Sequence, residues 1–167
     1  DQGMNIFYLH PDTDVCATMH CDKHAVKMIL EYAQLLSTAH HVLDGEPEVA
    51  CYKKTHVNHP SAVWARENTS NYRWLWSLLD NLCKEYTVRY QRVHKTESSG
   101  IVAGLRILPK NITEGEFTQP PQCMPDYCKD DTDAIIGYRN YYIKEKSYMA
   151  KWKNTKIPAW YQGGMQQ

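Results

Sequence analysis

Apolar side chains return at three- and four-residue steps along three stretches of the chain, and each stretch predicts a helix. The first spans 14–42, where Met19, Val26, Ile29, Leu30, Ala33, Leu35 and Leu36 share a side and Gly45-Glu46-Pro47 ends the run. The second spans 68–93, with Tyr72, Leu75, Trp76, Leu79, Leu82, Cys83, Tyr86 and Tyr90 turned inward. The third spans 133–152 behind the acidic cap Asp130-Asp131-Thr132-Asp133. A short helix over 61–66, capped by Ser61, fits between the first two. The apolar run 5–9 stops at His10-Pro11-Asp12 and reads as a brief strand or an anchored N-terminal segment. Residues 108–128 hold Pro109, Pro120, Pro121, Pro125 and Gly115, so they predict an extended surface loop. The aromatic tail Ile157-Pro158-Ala159-Trp160-Tyr161 is expected to dock back on the body. With no repeat and no strand alternation, the fold class is all-α. The expectation is one compact domain over 1–167 with three to five helices and a long Pro-rich loop. Asp1-Gln2-Gly3 stand ahead of Met4, which looks like a natural start; they read as a cloning remnant or a genuine extension.

Composition narrows the function classes. With 19 Lys+Arg against 19 Asp+Glu the net charge is zero, which excludes a polybasic protein but not a local basic face. A hydrophobic fraction of 43% excludes a disordered chain. No apolar run approaches the roughly 20 residues that span a bilayer, and no signal-peptide pattern opens the chain, so an intracellular, soluble protein is expected. The aromatics are 12 Tyr and 5 Trp against 2 Phe, rings with polar handles that suit a wet cleft as well as a core. The six Cys have neither Cys-x-x-Cys nor zinc-framework spacing and read as free thiols in a reducing compartment.

Seven of the eight His (His10, His20, His24, His40, His41, His56 and His59) fall in the first 59 residues. His20, His24, Lys27 and Glu31, spaced 4, 3 and 4 apart, form one stripe on the first predicted helix. Two imidazoles, an ammonium and a carboxylate can move protons, grip phosphate or hold a metal, or they can be a solvated face with a weak ion pair. A metal site would use His20 and His24, completed by Glu31 or His59, although Lys27 one turn on would repel a cation. His59, held extended before Pro60, is expected to project from a loop, with Arg66 nearby; the alternative is a structural turn satisfied by Asn58 and His59. Over 136–156 the cations Arg139, Lys144, Lys146, Lys151, Lys153 and Lys156 face Glu145 alone, interleaved with Tyr138, Tyr141, Tyr142, Tyr148 and Trp152. Cations for phosphates beside aromatics for bases are the composition of a nucleic-acid surface; a core helix with outward-snorkelling lysines is the other reading.

The stretch Asp22-x-His24-x6-Glu31 resembles the Asp-x-His-x6-Glu of the pyrimidine-dimer DNA glycosylase family of T4-type phages (the T4 endonuclease V-like superfamily), whose Glu is the catalytic carboxylate. The opening Asn5-Ile6-Phe7-Tyr8-Leu9-His10-Pro11 and the segment Asn58-His59-Pro60 are similar to those of bacterial relatives of the family. Pro158-Ala159-Trp160-Tyr161 resembles the family's Pro-x-Trp-Tyr tail, and the whole chain looks like small proteins of T4-like marine phages. The resemblance implies an all-α fold with a DNA-facing concave side, in the cytoplasm of an infected bacterium. It also implies base excision on damaged or modified pyrimidines: an amine attacks sugar C1′, expels the base and forms an imine, and Glu31 assists β-elimination. His24 would orient phosphate or sugar. The family's nucleophile is the α-amine of a small residue exposed by Met removal; here Asn5 follows Met4, so the amine falls to Met4 or to Lys27. DNA contacts are expected at His20, His59, Arg66, Arg139, Lys144, Lys146 and Lys151, with double-stranded DNA as partner, no membrane, no metal and no cofactor. A non-catalytic nucleic-acid-binding protein, or a metal-dependent enzyme using His20, His24 and His59, are the alternatives.

Overall fold

The computed structural model describes residues 3–161; Asp1 and Gln2 of the N-terminal extension lie outside the described residues. Among these the fold is all-helical, with α1 (Thr13–Met19), α2 (Asp22–Asp44), α3 (Pro60–Ala65), α4 (Thr69–Tyr90), α5 (Lys95–Ser98), α6 (Ile101–Leu105), a 3-10 turn (Asp126–Cys128) and α7 (Ala134–Glu145). Eight helical segments therefore stand where three to five were expected. The surplus comes from α5, α6 and the 3-10 turn, which are too short to carry a hydrophobic period, and from a break in the first predicted helix. No described helix is long and apolar enough to cross a membrane.

The break falls at His20 and Cys21, both extended (ψ 129° and 163°). Tertiary hydrogen bonds replace the helical ones there. The Cys21 N–H donates to the Tyr142 hydroxyl at 3.2 Å, and the Asp22 N–H donates to the Lys151 carbonyl at 2.7 Å. The same contact explains why α7 stops at Glu145 and not near 152. Beyond Lys146 the chain leaves the helix to cross the α1–α2 junction, where the Trp152 indole donates to the Met19 carbonyl at 2.9 Å. At the far end of α2, Gly45 takes φ 74°, a conformation open to glycine at little cost, and closes the helix onto the His41 carbonyl.

α1 and α2 both pack on α4, and α3 and α6 lie against α2 and α4. α4 begins as the pattern predicts, with the Asn68 side chain accepting from Asn71 N–H; α7 is capped by Asp133 in the same way. The segment 4–9 is no strand. It is an extended strap buried along its whole length, with Phe7 ringed by His24, Tyr138, Tyr141 and Tyr142. The Pro-rich loop is extended as expected and is stapled to the start of α4. Thr118 and Asn71 exchange hydrogen bonds, Asn68 Nδ2 donates to the Glu116 carbonyl, and the Trp64 indole donates to Thr118. The tail docks as expected, with Tyr161 buried against Trp152. All six cysteines are free.

Candidate functional site

Glu31 lies on the buried side of α2, 8% exposed, and its Oε1 accepts the Met4 backbone N–H at 2.7 Å. That bond holds an unusual backbone. Met4 sits at φ 63°, a left-handed conformation costing about 1–2 kcal/mol for an L side chain, and follows Gly3 at φ 75°. Gly3 stands directly over the carboxylate, since a Cβ on it would lie 3.6 Å from Oε1. Lys27, half-exposed one turn earlier, brings its Nζ to 3.5 Å from Oε2. Thus three of the four residues expected to carry chemistry, Met4, Lys27 and Glu31, converge.

His24, the fourth, faces the same region but is locked. Its ring stacks on Phe7 at 4.0 Å, and Nδ1 pairs with the Tyr142 hydroxyl at 2.7 Å. That hydroxyl also accepts the Cys21 N–H, so it ties the His24 ring to the start of α2. Burial, then the neighbouring His20, Lys146 and Lys27, hold the imidazole well below its usual pKa.

His20 corrects an expectation. It is fully buried, so it offers nothing to a phosphate, and it belongs to the α1–α2 connection and not to the stripe on α2. Nδ1 donates to the Cys16 carbonyl at 2.8 Å, and Nε2 accepts from the Tyr32 hydroxyl at 2.7 Å, which itself receives the Phe7 N–H. Burial pushes its pKa down to about 3. In the unfolded chain the same ring protonates near 6.5, so the unfolded state binds the extra proton first. Stability from neutral His20 is complete above pH 6.5 and is lost as pH falls from there towards 3, with a limiting slope of about 1.4 kcal/mol per pH unit. His20→Gln is expected to flatten that acid limb in urea-unfolding free energies measured across pH 4–7, whatever it does to the plateau; an unchanged slope would refute a buried neutral His20.

The metal alternative does not assemble. Both ring nitrogens of His20 are engaged within the core, Nδ1 of His24 is bonded to Tyr142, and His59 Nδ1 accepts the Ser61 N–H at 3.0 Å. Among the described residues no three His, Cys, Asp or Glu side chains are grouped to hold an ion. His59 is thus the N-cap of α3, displacing Ser61 from the expected role, and His94 caps α5 in the same way. His40 pairs with Tyr72 at 2.9 Å, and His41 with the Tyr52 carbonyl at 3.0 Å. The histidine clustering in the sequence is chiefly an inventory of core pairs and caps.

The basic run does not form one face. Arg139 is half-buried, with Nε donating to the Leu9 carbonyl at 3.0 Å and the guanidinium 5.3 Å from the Trp160 ring. Arg66 spends a donor on the Val57 carbonyl at 2.7 Å, and exposed Lys144 donates to the Tyr127 carbonyl at 3.0 Å. Lys151 is exposed on the crossing segment. Lys146 alone goes inward, 6% exposed, with Nζ 4.9 Å over the Tyr141 ring.

Lys146 enters the wall of a cleft of about 730 Å³ that sequence reasoning did not find. Gly3 and Asn5 of the strap, His59 and Pro60 at the start of α3, the 122–125 stretch with Lys129, and Tyr141, Glu145, Lys146 and Tyr148 build it. Its loop wall is rigidly mounted. The Gln122 carboxamide trades two hydrogen bonds with the Asp130 backbone, at 2.7 and 2.9 Å, in space kept open by Gly137. Of the residues expected to touch DNA, His59 and Lys146 line this cleft, as do Tyr141 and Tyr148 from the aromatics interleaved with the basic run; Asn5 and Lys129 are additions. Compared with known proteins, the chain matches no family model, no curated protein and no solved structure.

Proposed function

We propose that the protein is a DNA glycosylase/AP lyase acting on damaged or modified pyrimidines, with Glu31 as its working carboxylate. One observation carries the reading: the nitrogen of residue 4 is held 2.7 Å from a buried carboxylate, beside a cleft large enough for an extruded nucleotide. An amine next to a carboxylate is the pair this chemistry needs. The amine nitrogen bonds to C1′ as the C1′–base bond breaks, and the base departs with a proton. The sugar ring then opens at C1′–O4′, with O4′ taking a proton, and leaves an iminium at C1′; this acidifies C2′–H, Glu31 takes that proton, and the electron pair expels the 3′ phosphate. Water then hydrolyses the imine and frees the amine.

Two nitrogens can serve. Lys27 Nζ is an amine 3.5 Å from Glu31. The Met4 nitrogen is a peptide N–H in the full chain and becomes an amine in a chain that begins at Met4. Borohydride trapping on duplex DNA with an abasic site tests both, using chains that begin at Asp1 and at Met4. A covalent band from the shorter chain alone assigns the α-amine; a band from both that disappears in Lys27→Met assigns Lys27. No band from either chain, with DNA bound, would overturn the lyase reading and leave a nucleic-acid-binding protein.

A further inference from the structure

Among the described residues, one buried side-chain oxygen or nitrogen lacks a hydrogen-bond partner, and it is Asn5 Oδ1. Asn5 is 4% exposed, yet it lines the cleft, immediately after the residue whose nitrogen rests on Glu31. A carbonyl oxygen stripped of water and left unbonded is costly, and proteins seldom leave one without a reason. The rest of the wall indicates what would satisfy it. Tyr148, 78% exposed, offers an aromatic face, while Lys146, its ammonium over the Tyr141 ring, and Lys129, paired with Asp126 at 3.0 Å, supply cations. The Glu145 carboxylate in the same wall is engaged by the Tyr127 hydroxyl.

We infer that the Asn5 carboxamide is the base-reading group of this cleft: Oδ1 accepts an N–H from the edge of an extruded base stacked near Tyr148, with the phosphate towards Lys129 and Lys146. The inference rests on the proposed action on DNA and names the substrate feature that the site selects. A carboxamide offers an acceptor beside a donor, so its complement is a base edge with an N–H next to a carbonyl or ring nitrogen. Uracil and thymine present N3–H between two carbonyls; cytosine presents N4–H beside N3. Consecutive Cα atoms are about 3.8 Å apart, so the residue that reads the base directly follows the one whose nitrogen rests on Glu31. Recognition and attack then share one strap.

The test is an NMR titration of the full chain, labelled with ¹⁵N, using dUMP, dCMP and N3-methyl-dUMP. The expected result is saturable binding of dUMP or dCMP with shifts at the Asn5 side-chain amide, whichever binds more tightly identifying the edge that is read. Methylation of N3 is expected to weaken dUMP binding about tenfold or more if the uracil edge is read; Asn5→Leu, close in size, should abolish the preference for an N–H-bearing base. Equal binding of dUMP and N3-methyl-dUMP with no binding of dCMP would overturn the inference. So would shifts confined to residues outside the cleft, or no binding of any nucleotide. If Asn5→Leu does not fold, the ligand comparison on the unaltered protein still decides. A chain that traps on abasic DNA but shows no dependence on Asn5 loses this inference alone. One that discriminates bases but never traps keeps it and loses the lyase step.

Discussion

Glu31→Gln is expected to slow nicking of abasic duplex DNA by about 10²–10⁴-fold, the usual worth of a positioned general base. The substitution is close to isosteric, and the retained Oε1 can still accept the Met4 N–H that now sits at 2.7 Å. The strap and the cleft wall at Gly3 and Asn5 should therefore keep their places. The variant loses its ion pair with Lys27, but that partner is half-exposed, and such pairs contribute little. What the amide cannot do is take the C2′ proton. Single-turnover nicking beside an equilibrium DNA-binding assay separates the effects: a large rate loss with retained binding assigns the proton transfer to Glu31, whereas an undiminished rate would remove Glu31 from the chemistry.

A second large effect is expected in stability. Arg89 on α4 has a side chain fully shielded from solvent, with Nε donating to Glu85 at 2.8 Å, one terminal nitrogen donating to Asp22 at 3.1 Å and the other to the Thr18 carbonyl at 3.1 Å. The guanidinium ties α4 to the end of α1 and the start of α2, across the break between them. Removing one partner of a buried charge cluster leaves the others uncompensated, so Arg89→Met is expected to cost about 3–5 kcal/mol. Glu85 is the more buried of its two carboxylates and also accepts from Thr155. Adding Glu85→Leu should therefore recover much of the loss, because the isolated carboxylate goes too. Urea unfolding would read both as shifts of midpoint at similar slope; a single variant as stable as the parent would show that the cluster contributes nothing net.

The helices that could be read from the chain are those whose local signals agree with their packing. α4 follows its apolar period and the Asn68 cap, and α7 starts at Asp133 for the same reason. The misreadings arise where distant partners outbid local preference. Nothing near His20 and Cys21 signals a stop; the interruption depends on Tyr142 and Lys151, more than a hundred positions away. Histidine was the most misleading residue type. His59 and His94 accept a backbone N–H two residues on, a capping role usually taken by Ser, Thr, Asp or Asn, while His20, His24 and His40 pair with tyrosine hydroxyls. Composition alone does not separate such an imidazole from a ligand or a base. Glu31 was singled out as a candidate by its place in the His20, His24, Lys27 and Glu31 stripe and by the family resemblance, but its setting against the Met4 nitrogen was not legible. The cleft draws on residues 3–5, 59–60, 122–129 and 141–148, which share no period and no motif. The orphaned Asn5 oxygen is a property of three-dimensional packing, invisible in any window of sequence.

The buried strap 4–9 also bears on how the protein reaches its folded state. It is seated on two parts of the chain: Met4, Phe7 and Leu9 bond to Glu31, Tyr32 and Cys16 nearby in sequence, while Phe7 also rests on Tyr138, Tyr141 and Tyr142, and the Leu9 carbonyl accepts from Arg139, 130 positions later. On the ribosome the strap is made before α7, so it can settle on α1 and α2 first, but its second wall is missing until α7 has emerged. Closing so long a loop early is entropically unfavourable, so docking of α7 on the strap belongs late on the folding route and slows it. Since the cleft is walled both by the strap, with its Asn5 carboxamide, and by α7, it would be the last part of the protein to take shape. A nascent or partly folded chain would hold its helices before it held its site.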